Sequence, residues 1–233
     1  MRRADGAVEF LDRPVPPADR AASLADIDRL NAWFGGHALS LRGLGRVAAR
    51  LGPPGSVAVL DVGGGTGAFA ARVARWARRA GRRARVVVVE RDAATLALAR
   101  RVSAAYPEVV LIRADATALP FRPGVFDVVT SGLLLHHLEP DDAVAGLREM
   151  VAVARGGVVV NDLLRTRLAW VLVWLATRLW ARHRFSRHDG PLSVRRAYSP
   201  DELRVLAEKA GVHGLAIRRH PWLGRLVAVT SGR

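Results

Sequence analysis

At 233 residues the chain can bury a substantial core, and its 50% hydrophobic content excludes a disordered chain. It has no cysteine, which excludes disulfides and thiolate metal sites and leaves a reducing compartment open to it. The net charge of +15 raises nucleic acid or an anionic membrane as partners, yet Lys209 is the only lysine, and such one-sided arginine use reads first as a compositional habit.

Met1 to Phe10 contains no apolar signal core, so a cytoplasmic protein is expected. Residues 1–20, with Pro14, Pro16 and Pro17, read as an arm. Ser23 as N-cap with Asp26 three residues on predicts a helix carrying Leu24, Ile27, Leu30 and Phe34, stopped by Gly35 and Gly36. A second helix runs from near Leu39 to Leu51 and ends at Gly52 before Pro53 and Pro54. Residues 1–52 are thus an arm and helical cover ahead of a domain over 53–233. Trp33, Phe34 and His37 are candidates to line a site, against the plainer reading that these helices only cover a sheet.

The stretch from Val57 to Ala74 is the most informative. An apolar run ends in Asp61, Gly63, Gly64, Gly65, Thr66 and Gly67, and Phe69, Ala70, Val73, Ala74 and Ala77 then recur at helical spacing. This predicts a strand, a tight turn and a helix whose free N–H groups face a ligand. Two ligand families fit the turn: D-x-G-x-G-x-G over 61–67, and the dinucleotide fingerprint G-x-G-x-x-A over Gly63, Gly65 and Ala68. The valine run from Arg85 to Glu90 predicts a buried parallel strand. Glu90 at its tip, followed by Arg91, is placed to accept from both ribose hydroxyls of a bound adenosine.

After the strand at Val109 to Arg113 come Asp115 and Ala116, then Leu119-Pro120-Phe121 and a strand over 126–131 ending at Ser131. In this order the motifs resemble the class I S-adenosylmethionine-dependent methyltransferases over about Val57 to Val160. The resemblance implies S-adenosylmethionine as cofactor, with Asp61, Gly63, Gly65, Gly67, Glu90, Arg91, Asp115, Ala116 and Ser131 around it. Asp115 would face the adenine amino group and the Ala116 N–H a ring nitrogen. The implied fold is a Rossmann-like seven-stranded, mostly parallel sheet with its last strand antiparallel and helices on both faces.

Leu135 is followed by His136 and His137, and the strand at Val158 to Val160 leads to Asn161 and Asp162. The resemblance here is to the small-molecule branch of the family, which often carries His-His after the fourth strand. Neighbouring fourth and fifth strands would let a histidine meet Asp162, with the carboxylate fixing the imidazole tautomer for general-base work. The alternative is that one histidine packs on the cofactor and the other caps a helix. No pairing of carboxylates suggests a magnesium site, and no metal is expected.

Leu168 to Ala176, with Thr177, is apolar, carries Trp170 and Trp174 at i, i+4 spacing and is too short to span a bilayer of about 20 residues. It reads as a core helix, a lid over an apolar substrate, or an interfacial helix in peripheral contact with a membrane. The stretch from Arg187 to Tyr198, around Gly190-Pro191, reads as a loop in which His188, Asp189, Arg195 or Arg196 could bind an acceptor, so the insertion spans about 163–200. Ser199 with Glu202 opens a helix that Gly211 closes. Ala216 to Ile217 and Leu223 to Thr230 predict a closing antiparallel hairpin.

The expected function is methyl transfer to a small acceptor, without nucleic acid as partner. Oxygen on a phenolic, quinone-like or other natural-product acceptor is the leading nucleophile. Carbon or nitrogen methylation, or a non-methylating cyclase or scaffold, are the alternatives.

Overall fold

The computed structural model describes residues 1–52 and 55–230. Pro53 and Pro54, read as following the second helix, lie outside the described residues. Seven strands form one sheet: β1 (Ser56–Val62), β2 (Arg83–Glu90), β3 (Val109–Arg113), β4 (Val128–Gly132), β5 (Val158–Leu163), β6 (Ala216–His220) and β7 (Arg225–Val229), in the order β3-β2-β1-β4-β5-β7-β6. β7 pairs antiparallel with both β5 and β6, and the others run parallel to one another.

The central strands are valine runs because both faces are covered, as parallel sheets require. One face holds Leu60, Val62, Val87, Val89 and Val160 with Leu147, Met150 and Leu203 of α5 (Pro140–Val153) and α8 (Pro200–Lys209). The other holds Val59, Val86, Val88 and Val159 with Leu44, Val47 and Val73 of α2 (Gly36–Arg50) and α3 (Ala68–Arg79). The order reverses beside β1, between β2 and β4, which is where open α/β sheets place ligands beyond the C-terminal strand ends. The Ser199–Glu202 capping box opens α8.

Two expectations are corrected. The first helix, α1 (Pro17–Trp33), begins six residues before Ser23, with Pro17 in the first turn, where a missing N–H costs nothing. Ser23 and Asp26 lie buried inside it. The Ser23 hydroxyl meets that of Ser186 at 3.1 Å, and Asp26 accepts from the backbone N–H of Arg182 and His183 at 2.8 Å each. Secondly, the stretch around Gly190-Pro191 is no loop. It belongs to α7 (Arg184–Arg196), which packs on α6 (Arg167–Trp180). Gly190 serves close approach, since a Cβ there would stand 2.7 Å from Thr177 Cγ2. Pro191 removes one rung of the helix ladder. Contacts with α6 and with the arm, through Asp189, hold the helix together regardless.

The arm at 1–16 is pinned rather than free. Ala4 N–H donates to Arg195 O at 2.9 Å, and Phe10 stacks on Phe185 at 4.6 Å.

Candidate active site

A cavity of about 570 Å³ runs over the C-terminal ends of β1, β2, β4 and β5. At one end lies the glycine turn. Gly63 and Gly65 hold positive φ of 68° and 56°, and a side chain on Gly65 would meet no protein atom, so the backbone itself faces the opening. Glu90 braces this turn, accepting from Gly65 N–H at 3.3 Å and from Asp92 N–H at 3.0 Å. Asp115 accepts from the Thr117 N–H and hydroxyl at 2.9 and 2.7 Å through Oδ1, which leaves Oδ2 for a ligand.

Asp61 is buried below the turn. Its Oδ1 accepts from the Thr130 hydroxyl at 3.0 Å while Oδ2 has no partner. Burial pushes this carboxyl up to about 7, with the Glu90 charge adding to the rise. Gly63, Gly64, Gly65, Asp61, Glu90, Arg91, Asp115 and Ala116 all line the cavity. Gly67 and Ser131 do not. Gly67 is the left-handed residue that starts α3, and the Ser131 side chain is buried in the sheet.

The other end is built around the two histidines, in a short 3-10 turn (Leu135–His137) after β4. His136 Nδ1 lies 2.6 Å from Asp162 Oδ1, and the pair is buried. A carboxylate only accepts, so Nδ1 carries a proton, and in the neutral tautomer the lone pair lies on Nε2. Asp162 is fixed in turn by the N–H groups of Leu163 at 2.7 Å and His136 at 3.2 Å. Burial works to raise the Asp162 carboxyl, but His136 and these donors outweigh it and hold it below its usual range. His137 Nδ1 is held at 2.8 Å by Asp12 Oδ1 in the same way. Burial works to lower the His137 imidazole, and Glu9 and Asp12 together raise it instead.

Glu9 and Asp12 went unrecognised in the sequence. The arm brings both into the cavity wall, where Glu9 is buried and faces both imidazoles. Asp28 of α1, which accepts from the Thr66 hydroxyl at 2.5 Å, was likewise unrecognised.

The residues expected to bind the acceptor divide. His37 lines the cavity, buried against Phe69, and burial with Arg72 and Arg225 pushes it down to about 4, so it is neutral. Phe34 also lines it. Trp33 points outward from α1, 60% exposed. Trp170 packs instead with Leu163, Ala169 and Val194. His188 is half exposed and bonded to Asp189. Arg196 lies behind the histidines, donating to Glu9, Asp12 and the carbonyl of His137. Asp189 accepts from the N–H groups of Phe10 and Leu11, and Arg195 is exposed. The polar residues of α7 therefore hold the arm in place.

α6 is not a core helix: only Ala169 and Thr177 are buried in it. Leu172, Val173, Leu175, Ala176, Leu179 and Trp180 form an apolar wall of the cavity. No helix among the described residues is long and apolar enough to cross a membrane.

Residues 59–157 match the family described as "Methyltransferase domain". The chain is 32% identical over 191 residues to the 2-phytyl-1,4-naphtoquinone methyltransferase of Thermosynechococcus vestitus, covering 76% of this chain and 80% of that one. It is 32% identical over 176 residues to the demethylmenaquinone methyltransferase of Roseiflexus castenholzii, covering 68% and 69%. Among solved structures it resembles magnesium protoporphyrin IX methyltransferase from Synechocystis PCC 6803 with TM-score 0.57 at 16% identity, over 99% of this chain and 90% of that one. It also resembles an S-adenosylmethionine-dependent methyltransferase from Aquifex aeolicus with TM-score 0.58 at 14% identity, over 94% and 100%. Likeness at such low identity speaks for the fold.

Proposed function

The chain belongs to the class I S-adenosylmethionine-dependent methyltransferases, and on that premise we propose that it methylates a hydroxyl oxygen of a phenol or quinol bearing an apolar tail. The observation that carries this reading is the continuity of one cavity from the glycine turn to the buried His136–Asp162 pair. The groups at the turn suit the cofactor. Glu90 and Asp115 offer acceptors at the tips of β2 and β3, and the unpartnered Asp61 Oδ2 awaits a donor.

When bound, the cofactor supplies an electrophilic methyl group on a sulfonium sulfur. The chain's own task is to hold the acceptor in line and to receive its proton. His136 Nε2 is the base, with Asp162 fixing the tautomer and stabilising the imidazolium that forms. His37, uncharged, and the wall of α6 suit an apolar acceptor. Leu179 and Trp222 line the cavity and are also 67% and 80% exposed, so its mouth opens through an apolar lip that favours weak peripheral contact with a membrane.

The naphtoquinone and menaquinone in the relatives' names favour ring carbon as a second reading. The same residues serve it, because a phenolate shares its charge with the neighbouring ring carbon. The test is turnover to S-adenosylhomocysteine with phenols and quinols of increasing chain length, and the product's proton spectrum separates a methyl ether from a ring methyl. If His136→Ala and His137→Ala both keep the parent's rate and pH profile, the base assignment fails.

A further inference from the structure

We propose that Glu9, His136 and His137 form a binding site for one divalent first-row transition-metal ion. His136 Nε2 stands 4.0 Å from Glu9 Oε1, and His137 Nε2 stands 4.0 Å from Glu9 Oε2. Both separations are too long for hydrogen bonds. The three ligand atoms lie within 4.8 Å of one another. Ligands bonded at about 2.1 Å to one ion sit roughly 3 to 3.5 Å apart, so closure asks for movements of about 1 Å or less.

The other ring nitrogens strengthen the case. Each histidine gives its Nδ1–H to a separate carboxylate, Asp162 at 2.6 Å and Asp12 at 2.8 Å. Outer carboxylates of this kind orient metal-binding imidazoles and raise their basicity. With each Nδ1 so engaged, the two Nε2 atoms, on rings 4.2 Å apart between centroids, both face the one carboxylate of Glu9. A divalent cation between them would displace any proton on the Nε2 atoms and bond to all three groups.

Charge agrees. Glu9, Asp12 and Asp162 outnumber Arg196, which touches Glu9 and Asp12, together with Arg225, which makes no ion pair with Asp162. Two imidazoles and one carboxylate suit zinc, iron or cobalt better than magnesium or calcium, which prefer oxygen. The cluster lines the cavity, so positions on the ion would remain open toward the acceptor. Use of the ion in catalysis rests on the methyl-transfer reading: His136 Nε2 serves as base in the ion-free chain and as a ligand when the ion is bound. Binding of the ion does not rest on it.

The experiment is titration of untagged, metal-stripped protein with cobalt(II), followed by visible absorption and calorimetry, alongside elemental analysis of protein purified without chelator. One cobalt per chain with ligand-field bands is expected, lost in Glu9→Gln and in His137→Gln while both variants still bind S-adenosylmethionine, which shows that they fold. Absence of bands and heat up to millimolar cobalt or zinc, or binding unchanged in both variants, overturns the site. Turnover by a chain that binds no ion tells against this proposal alone. Ion binding without turnover of any acceptor supports it and tells against the methyl-transfer reading instead.

Discussion

Replacing Asp162 with asparagine tests the centre of the site at constant volume. The carboxylate accepts three hydrogen bonds: Oδ1 from His136 Nδ1 and the Leu163 N–H, and Oδ2 from the His136 N–H. An amide has one accepting oxygen. Kept toward Nδ1, it turns its NH₂ group onto the His136 backbone N–H and leaves a buried donor unpaired, at about 1 to 3 kcal/mol. The bond to Nδ1 also loses its charge assistance, which roughly halves it. The sum is about 2 to 4 kcal/mol, a fall in melting temperature of roughly 5 to 15 °C for a chain of this size. Loss of the partner for a forming imidazolium lowers turnover by about 100-fold or more. Calorimetric melting and S-adenosylhomocysteine release measure the two effects, and cofactor affinity, set at the other end of the cavity, stays near the parent's. Turnover within threefold of the parent, with the same pH profile, would refute the reasoning.

Glu90→Ala and Asp115→Ala should each weaken S-adenosylmethionine binding by roughly 10- to 100-fold in calorimetry, Glu90 more because it also braces the glycine turn; affinities unchanged in both would remove the cofactor from this end. Gly190→Ala drives a Cβ against Thr177 Cγ2 and should cost about 1 to 3 kcal/mol, which Thr177→Ser partly restores by removing that methyl group; denaturant unfolding of the single and double variants decides it. Because Asp61 is pushed up from 3.8 to about 7 in the folded chain, folding prefers its protonated form, so the ligand-free protein should lose stability as pH rises from about 4 to about 7 and level off above that. Asp61→Asn should flatten that part of the melting profile. Replacing both Leu179 and Trp222 with serine should reduce sedimentation with anionic lipid vesicles, and unchanged sedimentation would take the lip away from membrane contact.

The glycine-turn end of the cavity was legible because its signals are local. The turn needs glycine where φ is positive, Glu90 ends an uninterrupted valine strand, and Ser199 with Glu202 forms its box within three residues. α1 was misread at its start because it buries Arg20, Ser23 and Asp26 rather than an apolar stripe. α7 was hidden for a related reason: Gly190-Pro191 has the local chemistry of a turn, and only the approach of Thr177 from α6 shows why a glycine stands there. Trp33 and Trp170 were the right residue type on the wrong face, which spacing alone does not reveal. His136 and Asp162 were found because topology brings β4 beside β5, whereas Glu9 and Asp12 arrive on an arm with no periodicity of its own.

That arm gives the molecule an order of assembly. The glycine-turn end closes through partners near in sequence, Glu90 to Gly65 at a separation of 25 residues and Thr66 to Asp28 at 38. The acid and imidazole cluster joins Asp12 to His137 across 125 residues, and Arg196 to Asp12 and Glu9 across 184 and 187. Loop closure grows costlier with separation, and α7 must exist before it can hold the arm. During synthesis Glu9 and Asp12 emerge first and wait for partners that arrive with the histidine turn and α7, so the acid and imidazole cluster is among the last parts of the cavity to form.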